Sequence, residues 1–187
     1  MGSAGNFLID ALLSLYLVFI ILRIMLQWVQ ADFYNPFSQV IVKLTDPVLY
    51  PLRRLIPAGH RLDTAALVLL IALTLLKFYL LVTTTGRFPN LAGALVIAGA
   101  EILEMATDVL FFSLLARIIM SWIQPQSRHP VISIIIAITE PLMAPLRRVI
   151  PPMGGLDFSP IALFIVLGLF DRIIITPLFD FGYQLAF

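Results

Sequence analysis

No cysteine occurs among the 187 residues, and this absence removes disulfides, Cys-ligated zinc, iron-sulfur clusters and thiol nucleophiles together. Histidine is nearly as scarce. The two present, His60 and His129, fall at unmatched places in loops, so neither a metal site nor a Ser-His-Asp arrangement is indicated. Charge is thin as well: 12% of residues are charged, with 12 Lys and Arg against 11 Asp and Glu, and no basic tail or stripe stands out. That balance argues against a nucleic-acid partner. Glycine-rich phosphate loops are missing too, because GALVIAGA reads as a small-residue helix-packing stretch. Catalytic residues, a metal and a cofactor are therefore not expected.

What fills the chain instead is apolar. Hydrophobic residues make up 60% of it, and the mean hydropathy is +1.01. A soluble core could not hide that much apolar surface. A hydrocarbon layer of ~30 Å needs ~20 mostly apolar helical residues. Stretches 7–28, 64–82, 102–123 and about 160–179 meet that length. No basic residue precedes the first stretch and no small-residue cleavage pattern follows it, so it reads as a retained span. The expected class is all-α membrane, with four transmembrane helices.

Sliding the chain against itself by 94 residues reveals a duplication without gaps. Arg23 meets Arg117, Trp28 meets Trp122, Thr45 meets Thr139, and PLRRLIP meets PLRRVIP. Leu62-Asp63 meets Leu156-Asp157. From Arg23 to Ile71 against Arg117 to Ile165 there are 18 identities in 49 positions. Unit 1 is taken as 1–83 and unit 2 as 101–187, with 84–100 as a Gly/Ala-rich linker expected at the interface. Each unit holds two spans, an even number, so the two should enter the membrane in the same direction as parallel repeats.

Between the spans of each unit lies a short amphipathic segment. Val48, Leu49, Leu52, Leu55 and Ile56 form one stripe, repeated by Leu142, Met143, Leu146, Val149 and Ile150. Thr45 and Thr139 stand where an N-cap would start it, each followed by an acid and a proline. With the preceding residues 37–44 and 131–138 the segment is expected to form a helical hairpin in the cytoplasmic interface. Lys43, Arg53, Arg54 and Arg61 follow the first span, and Arg128, Arg147 and Arg148 follow the third. Only Arg87 lies between spans two and three. The basic loops are thus expected in the cytoplasm, with both termini periplasmic, in a bacterial inner membrane.

The order NPFSQ, DPVLYPLRRLIP and then EPLMAPLRRVIPPMGGLDFSP, each after a span ending in RxxxxW, resembles the YggT family of small bacterial membrane proteins. The resemblance implies a role in osmotic or extracytoplasmic stress, with a suggested link to potassium uptake. Relatives are implicated in septum or nucleoid organisation, and plastid ones in haem attachment to a thylakoid cytochrome. It implies no enzymatic reaction and assigns no residue a chemical role.

Three groups of residues remain as candidates. Arg53, Arg54, Arg147 and Arg148 suit anionic lipid headgroups, or an acidic membrane-protein partner. Arg23, Gln27 and Gln30, matched by Arg117, Ser121 and Gln124, form a polar stripe facing protein or water. Asp10, Lys77, Glu104, Asp108, Asp171 and Arg172 lie at similar depth in the outer half of the membrane, as an ion-pair network or as a cation or proton site. A scaffold or assembly factor is the first expectation, and a channel or transport accessory for potassium or protons is the alternative. Four short spans would form a pore only as a homo-oligomer.

Overall fold

The computed structural model describes residues 3–56, 59, 62–84, 86, 88–123, 129–150 and 157–187. Among these the structure is helical, without strands. The helices are α1 (Ser3–Trp28), α2 (Pro36–Arg53), α3 (Thr64–Thr83), α4 (Leu91–Ile123), α5 (Pro130–Val149), α6 (Ser159–Phe170) and α7 (Thr176–Ala186). A π-helical turn over Asp171–Ile175 joins α6 to α7, giving one rod of 28 residues. Large apolar side chains point outward along several helices, including Phe7 (69% exposed), Phe112 (63%) and Ile173 (63%). In a bilayer that surface meets lipid.

Four helices are long and apolar enough to cross a membrane: α1 over Ala4–Trp28, α3, α5 and the joined α6–α7. They differ from the four expected stretches in one place. The stretch 102–123 lies inside α4, which is not among the four and carries Glu101, Glu104, Asp108 and Arg117. The fourth helix that meets the length and apolarity needed is α5, expected at the interface.

Two local expectations are corrected. The anticipated hairpin is a single helix in each unit, because the prolines at 47 and 51 and at 141 and 145 are accommodated inside α2 and α5. Pro47 and Pro51 lie on the exposed side, away from the packed stripe Ser38, Ile41, Thr45 and Leu49. Thr45 is consequently an interior residue whose hydroxyl donates to the Ile41 carbonyl at 2.7 Å, and Thr139 does the same to Ile135 at 2.7 Å. The true N-caps are Asn35, which accepts from the Phe37 amide at 2.9 Å, and His129, which accepts from the Val131 amide at 3.3 Å.

The supposed linker is likewise structural. From Leu91 it forms the first turns of α4, packed on α7. A Cβ on Gly93 would lie 2.3 Å from the Ala186 nitrogen, and one on Gly182 would lie 2.7 Å from Ile97 Cγ1. Small residues let the two backbones touch, which is how helices associate when lipid offers no hydrophobic drive.

Two equivalent cores organise the rest. In unit 1, Ile20, Leu49 and Leu69 join α1, α2 and α3; in unit 2, Leu114, Met143 and Leu163 join α4, α5 and α6 at the shifted positions. A third cluster, with Leu26, Ala31, Ile41, Ile134 and Ile138, lies between the units.

Candidate functional site

Arg23 approaches α2 from the side of α1, almost wholly buried at 6% exposure. An unpaired guanidinium there would be costly, so its hydrogen bonds must all be found within the protein. Nη1 donates to Thr45 Oγ1 at 3.0 Å, and Nη2 lies 2.9 Å from Asp46 Oδ1. Arg53, two turns further along α2, has its Nη1 3.7 Å from the same Asp46 oxygen. Its Nε donates to Asp63 Oδ2 at 3.1 Å, and Nη2 contacts that oxygen as well. Asp63 is fully buried and is also the N-cap of α3, accepting from the Ala66 amide at 3.1 Å. Five side chains thus tie three helices together.

Unit 2 repeats this clasp residue for residue. Arg117 Nη1 donates to Thr139 Oγ1 and Nη2 to Glu140 Oε2, both at 2.7 Å. Arg147 Nη1 donates to Glu140 Oε1 at 2.7 Å, and its Nε to Asp157 Oδ2 at 3.0 Å. Asp157 in turn accepts from the Ser159 amide at 2.9 Å, at the start of α6. Partial burial alone would raise the Asp157 carboxyl, but hydrogen bonds from Ser159 and Arg147 outweigh it and hold it below the usual carboxylate range. The second clasp is the wetter one. Arg147 and Asp157 are 33% and 35% exposed, against 28% and 0% for Arg53 and Asp63.

The clasp divides each paired arginine. Arg53 and Arg147 turn inward, while Arg54 and Arg148 are exposed. The Arg54 guanidinium lies over the Tyr50 ring at 5.1 Å; Tyr50 is replaced by Ala144 beside Arg148. Each clasp sets two guanidiniums against two carboxylates, so it offers no net charge to an outside anion. Of the four PLRR arginines, Arg54 and Arg148 keep theirs available.

The polar stripe is partly dispersed. Arg23 and Arg117 belong to the clasps, and Gln27 Nε2 donates to the Gly59 carbonyl at 3.1 Å. Gln30 is not on the stripe. It adopts φ 51° just beyond α1, where the Gln30 and Ala31 amides close the helix on Gln27 and Leu26. Ser121, the counterpart of Gln27, donates to the Ile118 carbonyl at 2.8 Å instead of bridging outward. It lines a cavity of about 590 Å³ with Arg117, Trp122, Arg147 and Asp157. Gln124 lies outside the described residues, as do His60, Arg61, Arg87 and Arg128.

The outer group separates into two. Lys77 (6% exposed) donates to Ser14 Oγ at 2.8 Å, pairs with Asp10 at 3.1 Å and contacts Glu101. Glu101 was not among the sequence candidates, although it stands one turn before Glu104 on α4. Glu104, Asp108 and Asp171 line a second cavity, of about 320 Å³, with Thr107 and Gly168. Lys77 is the counterpart of Asp171 and Ser14 of Asp108, so three acids stand in unit 2 where unit 1 has one acid, a hydroxyl and a cation. Arg172 is exposed and does not line that cavity. Among the described residues no group of three His, Cys, Asp or Glu could hold a metal ion.

The missed partners were visible in outline. Asp46 and Glu140, and Asp63 and Asp157, repeat at the 94-residue spacing just as the arginines do. What the spacing does not reveal is that the two sets meet.

Known proteins carry the same pattern. The CCB3/YggT family pattern matches residues 3–84 and again residues 96–178, one match for each unit. An uncharacterized protein in the proC 3' region of Vibrio alginolyticus is 44% identical over 165 residues, which is 87% of this chain and 89% of that protein. The uncharacterized protein YggT of Escherichia coli K12 is 41% identical over 163 residues, covering 87% of this chain and 84% of the relative. The chloroplastic protein cofactor assembly of complex c subunit b CCB3 of Arabidopsis thaliana is 33% identical over 78 residues, 41% of this chain and 44% of that protein. No solved structure matches. With both units matched and relatives similar over most of their length, the chain belongs to the CCB3/YggT family.

Proposed function

We propose that this protein is a non-enzymatic, multi-pass scaffold or assembly factor of the bacterial inner membrane, acting in tolerance of osmotic or extracytoplasmic stress. In this reading α2 and α5 lie in the cytoplasmic interface, both termini are periplasmic, and the units are parallel repeats. Arg54 and Arg148 meet the anionic groups of lipid headgroups or of an acidic partner. One observation carries it: the first arginine of each PLRR pair is used up in a clasp, whereas the second is exposed and unneutralised by that clasp at the equivalent position of both units. A rigid clasp that presents one cation twice is a docking geometry. The plant relative's name, which speaks of cofactor assembly, fits a helper role.

Cross-linking and pull-down from native membranes, comparing wild type with R54A/R148A, test the docking. Partners held by the wild type should be lost, while the fold persists because neither residue joins a clasp. An unchanged partner set would remove the docking reading.

A second reading, an accessory to potassium or proton transport, draws on the cavity bounded by Glu104, Asp108 and Asp171. Cation flux in proteoliposomes that is the same for wild type and D108N/D171N would rule it out.

A further inference from the structure

Unit 2 docks on unit 1 through Ile134 and Ile138 of α5, each 3% exposed, which pack with Leu26 of α1 and Ile41 of α2. Asn35 locks the contact: its Nδ2 donates to the Pro130 carbonyl at 2.8 Å and to Ser133 Oγ at 3.0 Å. The 94-residue shift identifies the counterpart of each side. Val40 and Leu44 correspond to the inserted Ile134 and Ile138, yet they are 51% and 45% exposed. Met25 and Val29, which pack against the socket cluster, correspond to Ile119 and Ile123, which are 43% and 68% exposed. An isologous contact would have covered both sets. The contact is therefore heterologous: the knob of unit 2 fills the socket of unit 1, and the reverse pair stays open.

We infer that a second copy of the chain fills the open pair, with Val40 and Leu44 of one copy seated against Ile119, Met120 and Ile123 of the other. Heterologous contacts close into rings when the rotation allows, and two chains supply the smallest such ring, of four units. The flanking residues suit protein better than lipid. Phe19 and Leu22, beside the filled socket, become Ser113 and Ala116 beside the open one. The smaller residues leave the open socket room for an entering side chain. Small residues on a helix face also favour close approach of another helix within a membrane. The inference does not depend on the scaffold reading.

The absence of cysteine makes the test clean. Two differently tagged copies, one carrying L44C and the other M120C, are co-expressed and treated in native membranes with a short bis-maleimide. A chain carrying both V29C and A137C, at partly buried positions on the same cluster, reports the internal contact as a control. The inference expects a linked product bearing both tags and, in nanodiscs, a protein mass at least twice that of one chain. It also expects V40R, placed in the L44C copy at an exposed position that does not threaten the fold, to abolish the link and, in the otherwise unaltered chain, to return the mass to a single chain. An internal control that links while the two-tag product is absent overturns it, as does a wild-type mass of one chain or a V40R mass equal to wild type.

Discussion

Removing the aspartate of the clasp should cost far more in unit 1 than in unit 2. Asp63 is fully buried and bonds to both Arg53 and the α3 amide, whereas Asp157 makes the same two bonds with about a third of its surface exposed. Deleting one partner of a buried pair costs ~3–5 kcal/mol, because the other charge is stranded. A lost N-cap adds about 1 kcal/mol. D63A should therefore destabilise by roughly 4–6 kcal/mol. At the wetter clasp the ion pair contributes only about 0–1 kcal/mol and the hydrogen bond from the Ser159 amide about 1 kcal/mol, so D157A should cost roughly 1–2 kcal/mol. D63N separates the two effects, since asparagine caps as well as aspartate does; it should recover the cap and lose the pair, for a cost of ~3–5 kcal/mol. Reversible unfolding in mixed micelles, followed by helical circular dichroism during SDS titration, measures all three. Equal costs for D63A and D157A, or a larger cost for D157A, would refute the claim that burial of the first clasp sets its strength.

The remaining expectations concern packing and pH. G93V should loosen α4 from α7 and cost ~1–3 kcal/mol, because even a Cβ would meet the Ala186 backbone, which cannot rotate away as a side chain can; native-like stability in the same titration would contradict it. Asp157 has a folded pKa below its ordinary 3.8, so its contribution is complete above that value and fades as pH falls through the lower folded one. The stability difference between wild type and D157N should then stay level from pH 7 to about 4 and shrink only below that. A difference that already declines between pH 7 and 5 would show that another group is responsible.

Much of the architecture can be read without coordinates, since helical spans in lipid must satisfy their own backbone and advertise themselves as apolar runs. Three of the four runs coincide with helices long and apolar enough to cross, and the small-residue stretch GALVIAGA does pack closely. The third run proved harder. α4 is one 33-residue helix that absorbs the supposed linker, and α5 is apolar enough to compete with it for a place in the bilayer. Local signals also misled at Thr45 and Thr139: a threonine before an acid and a proline reads as a cap, but neighbouring packing kept the helix continuous through it.

The sequence alone determined equivalence: that the chain is a duplicated, apolar, helical unit, and which residue of one unit answers to which of the other. Spacing along the chain carries that information because duplication preserves order. Only the tertiary structure decided partnership. It turned one arginine of each PLRR pair inward and left the other exposed, divided the outer charges into an ion-paired lysine and an acidic cavity, and made the contact between units one-sided. Partnership depends on which helix faces lie within about 3 Å of one another, a distance set by packing across the bundle that no single segment encodes.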